Sequence, residues 1–143
     1  MSSGPVPPLI LVVDDNPLNV DPLCDLLSAM GYRVDQALDG PTALRIARAS
    51  APDLILLDIM MPGIGGMETL RRLRLLKPDL PVVMISAQGT IDVAVECMKG
   101  GADDYITKGQ DDLVKLDHVV KRLKERVKLA REVESLRGEV AEK

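Results

Sequence analysis

Aromatic side chains are nearly absent from this chain. Its 143 residues contain no Trp, no Phe and only two Tyr, Tyr32 and Tyr105. The core must therefore be aliphatic, built from Leu, Ile, Val, Met and Ala, and each Tyr is conspicuous. Long apolar runs are also missing. The longest, Leu9–Val13, has five residues, far short of the roughly 20 a membrane helix needs. The opening MSSGPVPP carries no basic start and no apolar stretch, so no signal peptide is expected and residues 1–7 read as a flexible tail. Cysteine is scarce. Cys24 and Cys97 lie in apolar helical patterns without metal-binding spacing, so two buried thiols in a reducing cytoplasm are expected.

What is present fits one soluble domain: 46% hydrophobic and 28% charged residues. The net charge of −4 hides an asymmetry, with −7 over residues 1–112 and +3 over residues 113–143.

Short apolar runs alternate with helical patterns. The strand candidates are Leu9–Val13, Arg33–Ala37, Leu54–Leu57, Val82–Ile85 and Tyr105–Thr107. The first, third and fourth are apolar on consecutive residues, which suits strands covered on both faces. Arg33–Ala37 is half polar and suits an edge. The first helix shows Leu23, Leu26, Leu27 and Met30 at helical spacing, ended by Gly31. Asp21-Pro22 reads as its N-cap and first turn, leaving Pro17–Val20 as an irregular lead-in. Ala43, Leu44, Ile46 and Ala47 mark a second helix after Gly40-Pro41. Leu70, Leu73 and Leu76 mark a third, closed by Pro78. Ile91, Val95 and Met98 mark a fourth, capped by Thr90 and closed by Gly100-Gly101. This alternation predicts an α/β fold with a parallel sheet between helical layers. In such sheets ligands bind at the carboxyl ends of the strands.

Those ends carry the chemistry. Strand 1 runs into Asp14-Asp15, strand 3 into Asp58, strand 4 into Ser86 and strand 5 into Thr107-Lys108. Singly, each has an ordinary explanation: an Asp after a strand is often a helix cap, and a lone Lys is usually a solvated charge. Together they form a set. Three carboxylates in one pocket repel unless a cation sits among them. Hard oxygen ligands without His or Cys favour Mg2+ over zinc, and Ser and Lys beside a metal suit a phosphate.

The motifs VVDD at 12–15, LLDIMMPGIGG at 56–66, ISA at 85–87 and GADDYITK at 101–108 resemble the receiver domain of two-component response regulators over residues 8–125. That resemblance implies a flavodoxin-like, doubly wound sheet of five parallel strands in the order 2-1-3-4-5. It implies that Asp58 accepts a phosphoryl group from a sensor histidine kinase or phosphotransfer protein. Asp15 matches the direct Mg2+ ligand, Asp14 the acidic neighbour acting through water, and Met60 the residue whose backbone carbonyl completes the protein ligands. Ser86 matches the hydroxyl that closes on the phosphoryl group, Lys108 the cation that pairs with it, and Tyr105 the aromatic switch. Met60 and Gln88 fall at positions that tune dephosphorylation in the family. Such a domain is no enzyme beyond phosphoryl transfer to and from its own Asp58. A haloacid-dehalogenase-like phosphatase would need an Asp where Met60 stands. The chain departs from the family at Lys108-Gly109, where Lys-Pro is usual; a trans bond is expected there, because a cis bond without proline costs about 2.5–4 kcal/mol. The departure keeps a second reading open, a phosphorylation-independent pseudo-receiver serving as a dimerisation or scaffold module.

The last helical pattern is long. Leu113, Leu116, Val120, Leu123, Val127 and Ala130 keep a 3-4 spacing, and Val133, Leu136 and Val140 resume it after a stammer. Residues 126–143 are expected to extend the helix as a coiled-coil linker, resembling those that lead to ATPase or diguanylate cyclase output domains. The partners expected are a kinase or phosphotransfer protein, a second copy through the helix 4–strand 5–helix 5 face and the coiled coil, and an output domain beyond the chain. Mixed charges without aromatics do not favour direct nucleic-acid or membrane binding.

Overall fold

The structure, a computed structural model, describes residues 7–87, 90–107, 115–122, 125 and 129. Five parallel strands form one sheet in the order β2-β1-β3-β4-β5: β1 Leu9–Val13, β2 Arg33–Ala37, β3 Leu54–Asp58, β4 Val82–Ser86 and β5 Asp104–Thr107. Between them run α1 Pro17–Ala29, α2 Gly40–Ser50, α3 Gly65–Leu76 and α4 Ile91–Lys99; residues 115–122 are helical and form α5. β3 and β4 are buried along their whole length, which is why they carry apolar side chains on both faces. β2 lies at an edge and keeps only Ala37 fully inside.

The sheet divides the interior in two. Leu11, Val13, Ile55, Leu57, Val82, Met84 and Tyr105 face α2, α3 and α4. Ile10, Val12, Leu54, Leu56, Val83, Ile85 and Ile106 face α1 and α5. Alternate residues of each strand thus feed opposite layers. Cys24 belongs to the second layer and Cys97 to the first, so the sheet stands between them. Burial and the nearby Asp21, Asp25 and Asp35 push the Cys24 thiol up to about 11. Burial also raises that of Cys97, with Glu96 adding to the shift.

The first helix corrects the expectation from Asp21-Pro22. α1 starts at Pro17, Asn16 is its N-cap, and the Asn16 side chain accepts from the Leu18 N–H at 3.0 Å. Pro22 lies inside the helix. Two cap-and-proline pairs compete here, and packing decides between them. The buried stripe is Val20, Cys24 and Leu27, so the helix must begin before Val20. Leu23, Leu26 and Met30 flank that stripe, partly buried. α2 likewise includes Gly40 and Pro41, because the Asp39 carboxylate caps it by accepting from the Thr42 N–H at 2.7 Å.

At the amino edge of the sheet, Arg74 of α3 ties three segments together. It donates to the carbonyls of Gly101 (2.7 Å) and Leu80 and to the Asp103 carboxylate (2.8 Å). The same carboxylate oxygen accepts from the Val82 N–H at 2.8 Å, joining the starts of β4 and β5. Arg74→Met would leave these acceptors without their donor. It is expected to cost about 2 kcal/mol of stability, read as a lower denaturant midpoint at unchanged slope. A midpoint equal to that of the wild type would show that the tie is dispensable.

Candidate functional site

The carboxyl edge of the sheet is assembled by register. Val13 pairs with Leu57, so the next step along each strand brings Asp14 beside Asp58. Asp58 pairs with Ile85, and Ser86 pairs with Thr107. Asp58 and Ser86 are the last residues of their strands, one position further than the apolar runs alone predict. Ligand oxygens of Asp14, Asp15 and Asp58 lie within 4.8 Å of one another. Asp14 and Asp58 are buried, at 6% and 5% exposure, while Asp15 is exposed.

Backbone groups hold these side chains in place. The Asp14 carboxylate accepts from the Asn16 N–H at 3.0 Å, and its own N–H donates to the Ala37 carbonyl at 3.1 Å. The Asp58 carboxylate accepts from the Met60 N–H at 3.2 Å. The Met60 side chain itself points to solvent, at 62% exposure. Ile59 donates to the Ile85 carbonyl at 3.0 Å, locking the chain just beyond Asp58 onto β4.

Ser86 is buried at 1% exposure. Alternation places it on the Val82–Met84 side of β4, the side on which Tyr105 packs. Asp14 and Asp58 follow Ile10–Val12 and Leu54–Leu56 on the other side. The site therefore straddles the sheet at its rim. The Tyr105 ring is buried. Lys108, Gln88 and the Lys108–Gly109 bond lie outside the described residues, as does the segment 126–128 and 130–143 expected to form the coiled coil.

The donor set fits a hard divalent cation. The three clustered carboxylates supply oxygen alone, and two of them are buried, where like charges repel most. Among the described residues this is the one such cluster of potential metal ligands.

The model of the response regulator receiver domain matches residues 10–121. The chain belongs to the response regulator receiver family. Among curated relatives, this receiver is 44% identical over 110 residues to the response regulator PleD of Caulobacter vibrioides, covering 73% of this chain and 24% of PleD. It is 40% identical over 108 residues to the transcriptional regulatory protein PrrA of Mycobacterium tuberculosis, covering 76% of this chain and 46% of PrrA. The receiver thus spans less than half the length of either relative. Among solved structures, NtrX from Brucella abortus superposes with a TM-score of 0.82 at 38% identity, over 91% of this chain and 29% of NtrX. A CheY-like receiver domain protein from Methanospirillum hungatei gives 0.77 at 28% identity, over 85% of this chain and 98% of that one. The flavodoxin-like order 2-1-3-4-5 agrees with these neighbours.

Two further residues shape this receiver's site, Gly66 and Thr69; the LLDIMMPGIGG motif suggests backbone freedom at Gly63, Gly65 and Gly66 alike, but Gly66 has no positive φ and serves a close approach instead. A side chain at Gly66 would place its Cβ 2.3 Å from the Asp58 carbonyl oxygen and 2.6 Å from the Ile59 Cα. Gly63 and Gly65 differ: both have positive φ, 79° and 75°, with open space around them. The Gly65-Gly66 doublet thus combines a left-handed turn with a close approach. Thr69 is buried in the next turn of α3, and its hydroxyl donates to the Gly65 carbonyl at 2.6 Å.

Proposed function

We propose that this receiver is a phosphorylation-controlled switch in which Asp58 takes a phosphoryl group from a sensor histidine kinase or phosphotransfer protein. The observation that carries this reading is the convergence of Asp14, Asp15 and Asp58 at the carboxyl edge of the sheet, with buried Ser86 one residue beyond the partner of Asp58. A carboxylate oxygen of Asp58 attacks phosphorus, a P–O bond forms, the P–N bond to the donor imidazole breaks, and the imidazole leaves. Asp14, Asp15, Asp58 and the Met60 carbonyl would hold Mg2+, which supplies charge neutralisation around the transferring group. The N–H of Met60 fixes one carboxylate oxygen of Asp58 and so orients the other. Ser86 receives the phosphoryl oxygens, Lys108 pairs with them, and Tyr105 on the same side of the sheet responds. Asp58 is both catalyst and substrate, so the chain turns over nothing else.

The output face is α4, β5 and α5. Ile91, Val95 and Met98 are exposed along α4, and Arg122 of α5 pairs with Asp104 of β5 at 2.5 Å. This face serves a second copy or an output domain. The greater length of the relatives supports the output domain. The kinase partnership implies the cytoplasm; no helix among the described residues is long and apolar enough to cross a membrane. The clustered carboxylates weigh against a phosphorylation-independent scaffold.

Incubation with Mg2+ and a small acyl phosphate donor is expected to add one phosphoryl group to the intact mass. Chelation with EDTA is expected to abolish the addition. A wild-type chain that gains no mass with Mg2+ present would overturn the switch.

A further inference from the structure

We infer that Thr69 is a positioning residue for Asp58, an inference that rests on the phosphoryl-acceptor reading above. Thr69 is fully buried, yet it lies one helical turn from the phosphoacceptor loop rather than in the pocket. Its hydroxyl donates to the Gly65 carbonyl at 2.6 Å. Gly65 holds φ at 75°, the turn that launches α3. The next residue, Gly66, donates to the Ile59 carbonyl at 3.1 Å and lies so close to the Asp58 carbonyl that no Cβ fits between them. The first turn of α3 is therefore the surface against which the end of β3 rests. Whatever sets that turn sets the backbone of Asp58.

Thr69 is held from the other side as well. A Cβ on Gly40 would come within 2.3 Å of the Thr69 hydroxyl oxygen and 2.7 Å of Ile64. The bare backbone of α2 thus packs against the Thr69 hydroxyl, with no room for a side chain between them. The contacts run in series: Gly40 on Thr69, Thr69 on the Gly65 carbonyl, Gly66 on Asp58. A back-bonded threonine often bends a helix slightly. Such a bend would fall in the turn that meets the phosphoacceptor.

Two substitutions separate the hydroxyl from the shape. Thr69→Val keeps the branched outline and removes the donor; Thr69→Ser keeps the donor and removes the methyl. Each opens or perturbs a buried site, so each lowers the melting temperature, and rates are compared where both remain folded. Thr69→Val is expected to slow phosphorylation by the small donor about tenfold, since a displacement well under 1 Å at the reacting group suffices for that. Thr69→Ser is expected to stay within about twofold of the wild type on the same scale. The Mg2+ concentration at half-saturation, followed by amide shifts of Asp14 and Asp15, is expected to rise in the Val variant alone, because Asp58 is one of the clustered carboxylates. Amide exchange at Gly65, Gly66 and Thr69 is expected to quicken in the Val variant alone. A Val variant phosphorylated at the wild-type rate, or a Ser variant as slow as Val, would overturn the assignment. If the wild type itself takes no phosphoryl group, the switch reading fails separately. Amide exchange then decides the role of Thr69: protection lost in Val and kept in Ser upholds it, and protection equal in both overturns it.

Discussion

Asp58→Asn is expected to carry no phosphoryl adduct under conditions that label the wild type to completion. The substitution is nearly isosteric. The Asn oxygen can still accept from the Met60 N–H, which the Asp58 carboxylate does now at 3.2 Å, so the loop need not move. What disappears is the anionic oxygen able to attack phosphorus. An amide oxygen is a far weaker nucleophile. The variant also removes one of three crowded negative charges, so without metal its melting temperature is expected to equal or exceed that of the wild type. Intact mass and a thermal melt check the two halves independently. Residual labelling of the variant would move the acceptor to another residue. A melting temperature well below the wild type would show that the Asp58 carboxylate holds the fold together, rather than straining it.

The second large effect concerns a residue with no side chain. Gly66→Ala would drive a methyl group to 2.3 Å from the Asp58 carbonyl oxygen and 2.6 Å from the Ile59 Cα. Both obstacles are backbone, so neither can swing aside as a side chain would. α3 and the end of β3 must separate, and the Gly66–Ile59 hydrogen bond lengthens with them. Overpacking of this kind costs about 1–3 kcal/mol, and an outward shift of about 1 Å at Asp58 would slow phosphoryl transfer on the order of 100-fold. Gly63→Ala is the control. Its φ of 79° strains an alanine, but its surroundings are open. It is therefore expected to lose stability, at most about 2 kcal/mol, with little loss of rate in the folded fraction. Chemical denaturation and the labelling rate separate the two; equal rates in both variants would refute the close-approach argument.

Much of this architecture was legible from residue order alone. Leu54–Leu57 and Val82–Ile85 are apolar on successive residues because both faces of β3 and β4 are covered, and Arg33–Ala37 betrays an edge through its polar positions. Asp14, Asp15, Asp58 and Ser86 could be brought to one rim by the rule that parallel sheets present their carboxyl ends to ligands. The start of α1 was not legible. Asn16-Pro17 and Asp21-Pro22 give the same local signal, and only the burial of Val20 separates them. The close approach at Gly66 and the back-bond of Thr69 were hidden for a different reason. A glycine that admits a neighbouring backbone looks like one that permits a turn, and a threonine that bonds a carbonyl four residues back looks like any helical threonine. Such contacts reside in the distance between segments, which no local pattern records.

The sheet is one residue thick, and every side chain belongs to one layer or the other. Val20, Cys24 and Leu27 meet the sheet from below, whereas Ala43, Leu70 and Cys97 meet it from above. Substitutions in the two layers touch different neighbours, so their effects on stability are expected to add rather than couple. The layers can therefore drift, or be redesigned, as independent compartments. Only the rim is common property: Asp58 extends a row of the lower layer and Ser86 a row of the upper. A lineage could rebuild either compartment around new partners while the few residues at that shared boundary stayed as they are.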